Sequence, residues 1–134
     1  MDLGEDDLLN ILADLNPQLI NENYVFVSLN DCSLDVVNQL DPIATFKEKE
    51  GTTLVITRDK AQSNNYEFDL VFKCITLGVH SSLISVGLIA TISNCLSDNG
   101  IPCNIFSGYF HDHLFIQNDL SKKAMEVLED IKPK

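Results

Sequence analysis

The side chains able to do chemistry in this 134-residue chain gather in two short segments, and all three histidines are among them. The first segment is Ile75-Thr76-Leu77-Gly78-Val79-His80-Ser81-Ser82-Leu83, an apolar run that passes through a Gly-Val-His-Ser-Ser turn into a second apolar run. The second is Ser107-Gly108-Tyr109-Phe110-His111-Asp112-His113-Leu114, which reads as a hairpin turning at His111-Asp112. A strand feeding a helix through a polar turn leaves backbone N–H groups without partners at the helix start, and those groups favour an anion or a carboxylate. The two segments therefore point to a small-ligand site before they point to a reaction.

Each segment has competing readings. In the first, Ser81 or Ser82 caps the following helix while His80 bonds a carbonyl, or else the turn cradles a ligand carboxylate to which His80 donates. In the second, His111 and His113 project to one face of a strand, so a four-ligand metal site can be drawn with His80 and Asp112. Asp112 points the other way along an extended chain, and no further His or clustered Cys joins the set. A metal-dependent enzyme using His80, His111 and His113 is thus the weaker reading. A turn aspartate bonding its own backbone, beside histidines at an oligomer interface, is the expected arrangement. A hydrolase built from Ser81 or Ser82, His111 or His113, and Asp112 lacks the Gly-x-Ser-x-Gly elbow, and adjacent Asp and His do not hold each other as a triad does. Gly78 and Gly87 are isolated, so no phosphate loop is present, and Gly87 is expected inside a helix where it permits close packing. Phe110 is expected in the core, while Ser107-Gly108 allows close approach at the hairpin. The reading is a chain that catalyses nothing and needs no cofactor or metal.

The elements that position these segments follow from periodicity. Residues 6–15 set Leu8, Ile11, Leu12 and Leu15 on one helical face with Asp6 and Asp7 in the first turn, and Asn16-Pro17 stops that helix. Residues 24–29 form a strand apolar on both faces. Residues 31–40 form a short helix capped by Asp31 or Ser33, with Leu34, Val37 and Leu40 inward. Residues 43–49 and 52–58 make a hairpin around Glu50-Gly51. The polar stretch 60–65, with at most one helical turn, is the expected boundary between units 1–65 and 66–134. Residues 68–77 alternate as a long strand with Phe68, Leu70, Phe72 and Cys74 on one face. From Leu83 a helix carries Ile84, Leu88, Ile92, Cys95 and Leu96 inward and ends at Asn99-Gly100. Residues 103–110 and 114–117 form the second hairpin, and Asn118 or Asp119 caps a last helix with Leu120, Ala124, Val127, Leu128 and Ile131 inward.

Both halves are fragments of one βαββαβ plan, an α+β arrangement of antiparallel sheet with helices packed on one face. The C-terminal fragment runs out of sequence before its fourth strand, which either the N-terminal half or a second copy must supply.

Composition narrows the partners. Nine Lys and Arg against twenty Asp and Glu give a net charge of −11, which repels nucleic acid and anionic lipid. The cysteines Cys32, Cys74, Cys95 and Cys103 show no Cys-x-x-Cys spacing and read as small hydrophobes in a reducing compartment. No signal segment or membrane-length apolar run occurs, so the cytoplasm is the expected location.

The order of elements, with a Gly-x-His-Ser-Ser-Leu turn paired to a Ser-Gly-Tyr-x-His-Asp-His hairpin, resembles the ACT-domain proteins, and more narrowly small bacterial proteins with two ACT-like units in tandem. Residues 12–26 and 46–55 look like an N-terminal unit, and residues 72–128 like a C-terminal one. The resemblance implies two ferredoxin-like units and a regulatory, non-catalytic protein, homodimeric or higher, that senses an amino acid or similar carboxylate. It implies a ligand at Gly78, Val79, His80, Ser81, Ser82 and Leu83, faced by a neighbouring unit, and the hairpin residues Ser107, Gly108, Tyr109, His111, Asp112 and His113 are the ones expected to face that ligand from such a unit. The alternative is an interaction module that regulates a separate enzyme without a ligand of its own.

Overall fold

The computed structural model describes residues 4–131. Along the chain run α1 (Leu8–Ala13), β1 (Pro17–Leu19), β2 (Tyr24–Leu29), α2 (Leu34–Leu40), β3 (Ala44–Lys47), β4 (Thr52–Thr57) and α3 (Arg58–Ser63). There follow β5 (Phe72–Leu77), α4 (Leu88–Asp98), β6 (Asn104–Ser107), β7 (Asp112–Gln117), a 3-10 turn (Asn118–Leu120) and α5 (Ser121–Glu129). These form two compact units that do not follow chain order: residues 4–21 join 73–131, and residues 22–72 form the other. Compactness thus divides the chain differently from the expected cut at residue 65.

In the discontinuous unit β5 lies between β1 and β7, with β6 beyond β7. β1 runs antiparallel to β5, Pro17 opposite Leu77 and Leu19 opposite Ile75, and the Ile20 N–H extends the pairing to the Cys74 carbonyl at 2.9 Å. The chain's own leading residues therefore supply the fourth strand that the C-terminal sequence lacks. Asn16 makes the entry at φ 48°, a left-handed conformation asparagine tolerates, and Pro17 occupies the first position of the strand, where proline is accepted. The core joins Ile11 and Leu15 to Ile75, Leu77, Leu88, Ile92, Leu114 and Leu128, all essentially inaccessible to solvent.

In the inserted unit β4 lies between β3 and β2, Leu29 opposite Thr52 and Ala44 opposite Val55. Phe72, the first residue of β5, pairs with Tyr24 in the fourth-strand position. Gly51 is required by close approach, since a Cβ there would lie 2.8 Å from Ser28 Oγ and 3.1 Å from the Leu29 carbonyl oxygen. Val25, Leu40, Leu54, Ile56 and Ala61 form the core.

Three local expectations change and one alternative is decided. The stretch expected as a boundary is α3, whose Ala61 is fully buried and whose start is capped by Thr57 Oγ1, which accepts from the Lys60 N–H at 3.2 Å. Ser33 alone caps α2, accepting from the Val36 N–H at 3.3 Å. Leu34 is 76% exposed, and Val36 packs on the core in its place. β5 begins only at Phe72, leaving Leu70 out of the strand and exposed. No helix among the described residues is long and apolar enough to cross a membrane.

Candidate functional site

The strand does not run into a helix at Leu83. Residues 78–87 form an irregular loop, and Leu83, Ile84 and Val86 are 63%, 75% and 84% exposed, so the spacing that sets Ile84 ahead of Leu88 and Ile92 brings no burial. Gly87 is the N-cap of α4, at φ 98°, where glycine avoids the strain any other residue would carry. It lacks a side chain to bond the first-turn amides, which by helix geometry have no intrahelical partners. Neither serine caps this helix: Ser82 Oγ accepts from the Ile84 N–H at 3.2 Å within the loop, and Ser81 Oγ donates to Asp112 Oδ2 at 3.2 Å.

The leading segment holds the other side of the loop. The Gly78 N–H donates to the Asn16 carbonyl at 2.9 Å, Val79 to Leu15 at 3.3 Å, and Ser82 to Glu5 at 2.6 Å, while the Glu5 N–H donates to the His80 carbonyl at 2.7 Å. The amides of Gly78, Val79 and Ser82, expected to cradle an anion, are thus taken up by the protein itself. The fit is close enough that a Cβ on Gly78 would lie 2.9 Å from the Asn16 carbonyl oxygen, and one on Gly4 2.7 Å from His80 Cδ2.

The β6–β7 hairpin closes with the Gly108 N–H on the His111 carbonyl at 2.9 Å. His111 and His113 share a face, their ring centroids 6.4 Å apart. His111 Nδ1–H donates to the Val79 carbonyl at 3.1 Å, and His113 Nδ1 shares a hydrogen bond with Thr76 Oγ1 at 2.9 Å. Burial holds the His113 imidazole below its ordinary pKa, helped by His111 and opposed by Asp112. Asp112, opening β7 and only 7% exposed, turns to the opposite face and bonds Ser81 rather than its own backbone. The His80 ring lies 5.2 Å from Phe110 and 6.3 Å from Tyr109, and Phe110, expected in the core, is 59% exposed. Among the described residues no group of three His, Cys, Asp or Glu side chains is placed to hold a metal ion. The cysteines are unbridged, and burial pushes the Cys103 thiol up to about 11, which keeps it a thiol at neutral pH.

On the Asp112 side the loop and hairpin enclose a cavity of about 140 Å³. Of the expected ligand residues, Ser81, Ser82, Leu83, Ser107, Gly108 and Asp112 line it. Gly78, Val79, His80, Tyr109, His111 and His113 do not: Gly78, Val79 and His80 bond the leading segment, His111 ties the hairpin to the loop at Val79, and His113 bonds Thr76 of β5. The remaining wall is Ser85 and the start of α4, from Gly87 to Ala90. Sequence reasoning misses that part, although Ser85-x-Gly87 before an apolar run carries the signal of a glycine N-cap. Both halves of the cavity belong to the discontinuous unit, so no facing unit is needed to bring the hairpin to the loop.

The inserted unit shows the contrast. There only residues 30–33 join strand to helix, and Ser33 caps α2 itself. In the discontinuous unit the partial positive charge of an uncapped helix start and a buried carboxylate share one small cavity of mixed polar and apolar lining. Its Ser81 hydroxyl is directed to the Asp112 carboxylate, and the serine hydroxyls of the wall offer hydrogen-bonding groups for a small polar molecule.

Comparison with known proteins agrees with this architecture. An ACT-domain family model matches residues 3–73, and a second ACT-domain model matches residues 70–130. A crystal structure from Vibrio cholerae, described as a protein of unknown function and possible transport protein, is 39% identical with a TM-score of 0.85, the match covering 94% of this chain and 96% of that one. A protein from Agrobacterium tumefaciens is similar at 16% identity and TM-score 0.68, covering 87% and 88% of the two chains. The regulatory subunit of aspartate kinase from Thermus flavus superposes with TM-score 0.64 at 7% identity, covering 89% of this chain and 98% of that one. No curated protein matches in sequence. With two family models in tandem, one spanning more than half of the sequence, and a βαββαβ plan in each unit, this chain belongs to the ACT-domain family.

Proposed function

We propose that the protein is a non-catalytic, cytoplasmic sensor that binds an amino acid or similar small carboxylate in the cavity between Ser81, Asp112 and the start of α4. The observation that carries this reading is the uncapped N-terminus of an 11-residue helix opening into a small, partly open cavity of about 140 Å³ lined by both serine hydroxyls and apolar side chains. A carboxylate there accepts from first-turn amides of α4 and lies in the field of the helix dipole. ACT domains commonly bind amino acids as regulatory domains, and the likeness to an aspartate kinase regulatory subunit is one of fold that suits the same role. Thermal-shift screening of the amino acids and small hydroxy acids tests the reading. A ligand at a hundred times its Kd adds about 2.7 kcal/mol, so a set of flat melting temperatures refutes it.

A second reading has its own observation. Leu83, Ile84, Val86 and Phe110 are all more than half exposed, an apolar content that suits contact with a second copy or a regulated enzyme. Light scattering of the purified protein and of Ile84→Asp tests the homo-oligomeric version of this second reading, which a monomer in both cases removes.

A further inference from the structure

We infer that residues 4–6 are a strap that docks on the loop after β5, opens independently of the core, and sets the order of the loop tip. The inference holds whatever molecule the cavity takes. Glu5 pairs with Ser81 in a single parallel bridge, its N–H donating to the His80 carbonyl at 2.7 Å and its carbonyl accepting from the Ser82 N–H at 2.6 Å. Beside it Gly4, at φ 85°, lies so close to the His80 ring that a Cβ would meet Cδ2 at 2.7 Å and Nε2 at 2.9 Å. Apolar burial adds little to this attachment, since Gly4 has no side chain and Glu5, Asp6 and Asp7 are exposed. A segment with few buried apolar contacts opens locally, whereas α1 is held in the core by Ile11, Leu12 and Leu15. The helix also begins with its own cap, Asp7 Oδ1 accepting from the Asn10 N–H at 3.1 Å, so its first turn does not depend on the strap. The effect reaches the cavity through Ser82. Its carbonyl accepts from the Ser85 N–H at 3.0 Å and its hydroxyl from the Ile84 N–H at 3.2 Å, and Ser82, Leu83 and Ser85 all line the cavity. Release of the strap breaks both bridge bonds and removes the anchor of that turn. Gly78 and Val79 keep their bonds to Asn16 and Leu15, so the loop has a fixed root and a movable tip.

The test is amide hydrogen exchange, read residue by residue by NMR, on the full-length protein and on Gly4→Ala, which drives a Cβ into the His80 ring and strains a left-handed φ. In the unmodified protein the Glu5 and Ser82 amides are expected to share one protection factor, because one opening breaks both bonds. That factor is expected to be roughly tenfold or more below that of Ile20, whose bond to Cys74 extends the β1–β5 pairing. Gly4→Ala is expected to lower the protection of Glu5, Ser82 and Ser85 together by roughly tenfold or more, with Gly78 and Val79 unchanged. Glu5 and Ser82 amides as protected as Ile20 in the unmodified protein overturn the inference, since residues 4–6 are then a fixed part of the fold. Unchanged Ser82 protection in the variant overturns it as well, and equal loss at Gly78 and Val79 shows a loop without a fixed root. Loss at Ser82 without loss at Ser85 overturns the link to the cavity wall. If the variant does not fold, the comparison of Glu5 and Ser82 with Ile20 in the unmodified protein decides alone.

Discussion

Replacing Ser81 by alanine isolates the contact that joins the two segments of the candidate site. Ser81 and Asp112 are each 7% exposed, and the Ser81 hydroxyl donates to Asp112 Oδ2 at 3.2 Å across a separation of 31 residues. An alanine methyl fits the space that the serine side chain leaves but offers no donor, so the main loss is one hydrogen bond to a buried carboxylate, about 1.5–3 kcal/mol where a charged group is involved. Taking about 2 kcal/mol, and roughly 3–5 °C per kcal/mol for a chain of this length, the melting temperature of Ser81→Ala falls by roughly 6–10 °C. The chain has no tryptophan, so far-UV circular dichroism is the suitable monitor of melting, and urea titration supplies the free energy. A double-mutant cycle with Asp112→Asn separates the bond from the general effect of each change. A coupling of about 1 kcal/mol or more is expected, because asparagine accepts only as a neutral group. A loss below about 0.5 kcal/mol, or additivity within about 0.4 kcal/mol, refutes the reasoning and with it the claim that this pair sets the cavity wall.

Three further outcomes follow from other contacts. Gly78→Ala drives a Cβ to 2.9 Å from the Asn16 carbonyl oxygen, a backbone atom that cannot swing aside, and should lower stability by about 1–3 kcal/mol in urea melts. Ser33→Ala removes the cap of α2 in the inserted unit and should lower stability by about 1 kcal/mol while leaving ligand-induced shifts unchanged, since α2 lies outside the unit that holds the cavity. His113 binds its proton less readily in the folded protein than in the unfolded chain, where the ordinary value is 6.5. Stability from this group is therefore complete above about pH 6.5 and is lost as pH falls through the lowered folded pKa. Melting temperatures should decline as pH falls below about 6.5, His113→Gln should flatten that slope, and an unchanged slope in the variant assigns the decline to other groups.

The strongly patterned strands are legible in the sequence, and the reasons are local. β2 and β4 carry dense β-branched and aromatic runs, and the Glu50-Gly51 turn between β3 and β4 uses glycine where Ser28 and Leu29 come close. β1 is invisible to such reading because three residues beginning with proline have no periodicity of their own; they are a strand only because β5 offers an edge far along the chain. The start of α4 is misplaced for the converse reason. Ile84 fits the four-residue spacing to Leu88 and Ile92, yet spacing predicts a face and not its burial, and the left-handed Gly87 ends the helix before the pattern does. Six of the twelve expected ligand residues line the cavity, because the sequence shows which two segments carry polar groups and glycine. Which face of each segment turns inward depends on bonds such as Ser81 to Asp112 and His111 to Val79, between residues more than thirty positions apart, and no local pattern encodes them.

Those long-range bonds also explain why the histidines, the most conspicuous residues of the sequence, lie off the cavity wall. Strand alternation forces His111 and His113 to the face opposite Asp112, so a hairpin that turns its carboxylate into the cavity must turn both imidazoles away from it. On that face they meet Val79 and Thr76, while His80 gives its carbonyl to the leading segment at Glu5. The loop is thereby fixed from behind by groups that compete for nothing in front. Its inner amides at Gly78, Val79 and Ser82 are saturated by the chain, and its Ser81 side chain reaches forward to Asp112. A loop anchored on one side and hydroxyl-tethered on the other can keep a small cavity open at an uncapped helix start without a helix cap of its own. Pre-organisation of that kind lowers the ordering cost of binding, so a molecule of only a few atoms can be held with useful affinity.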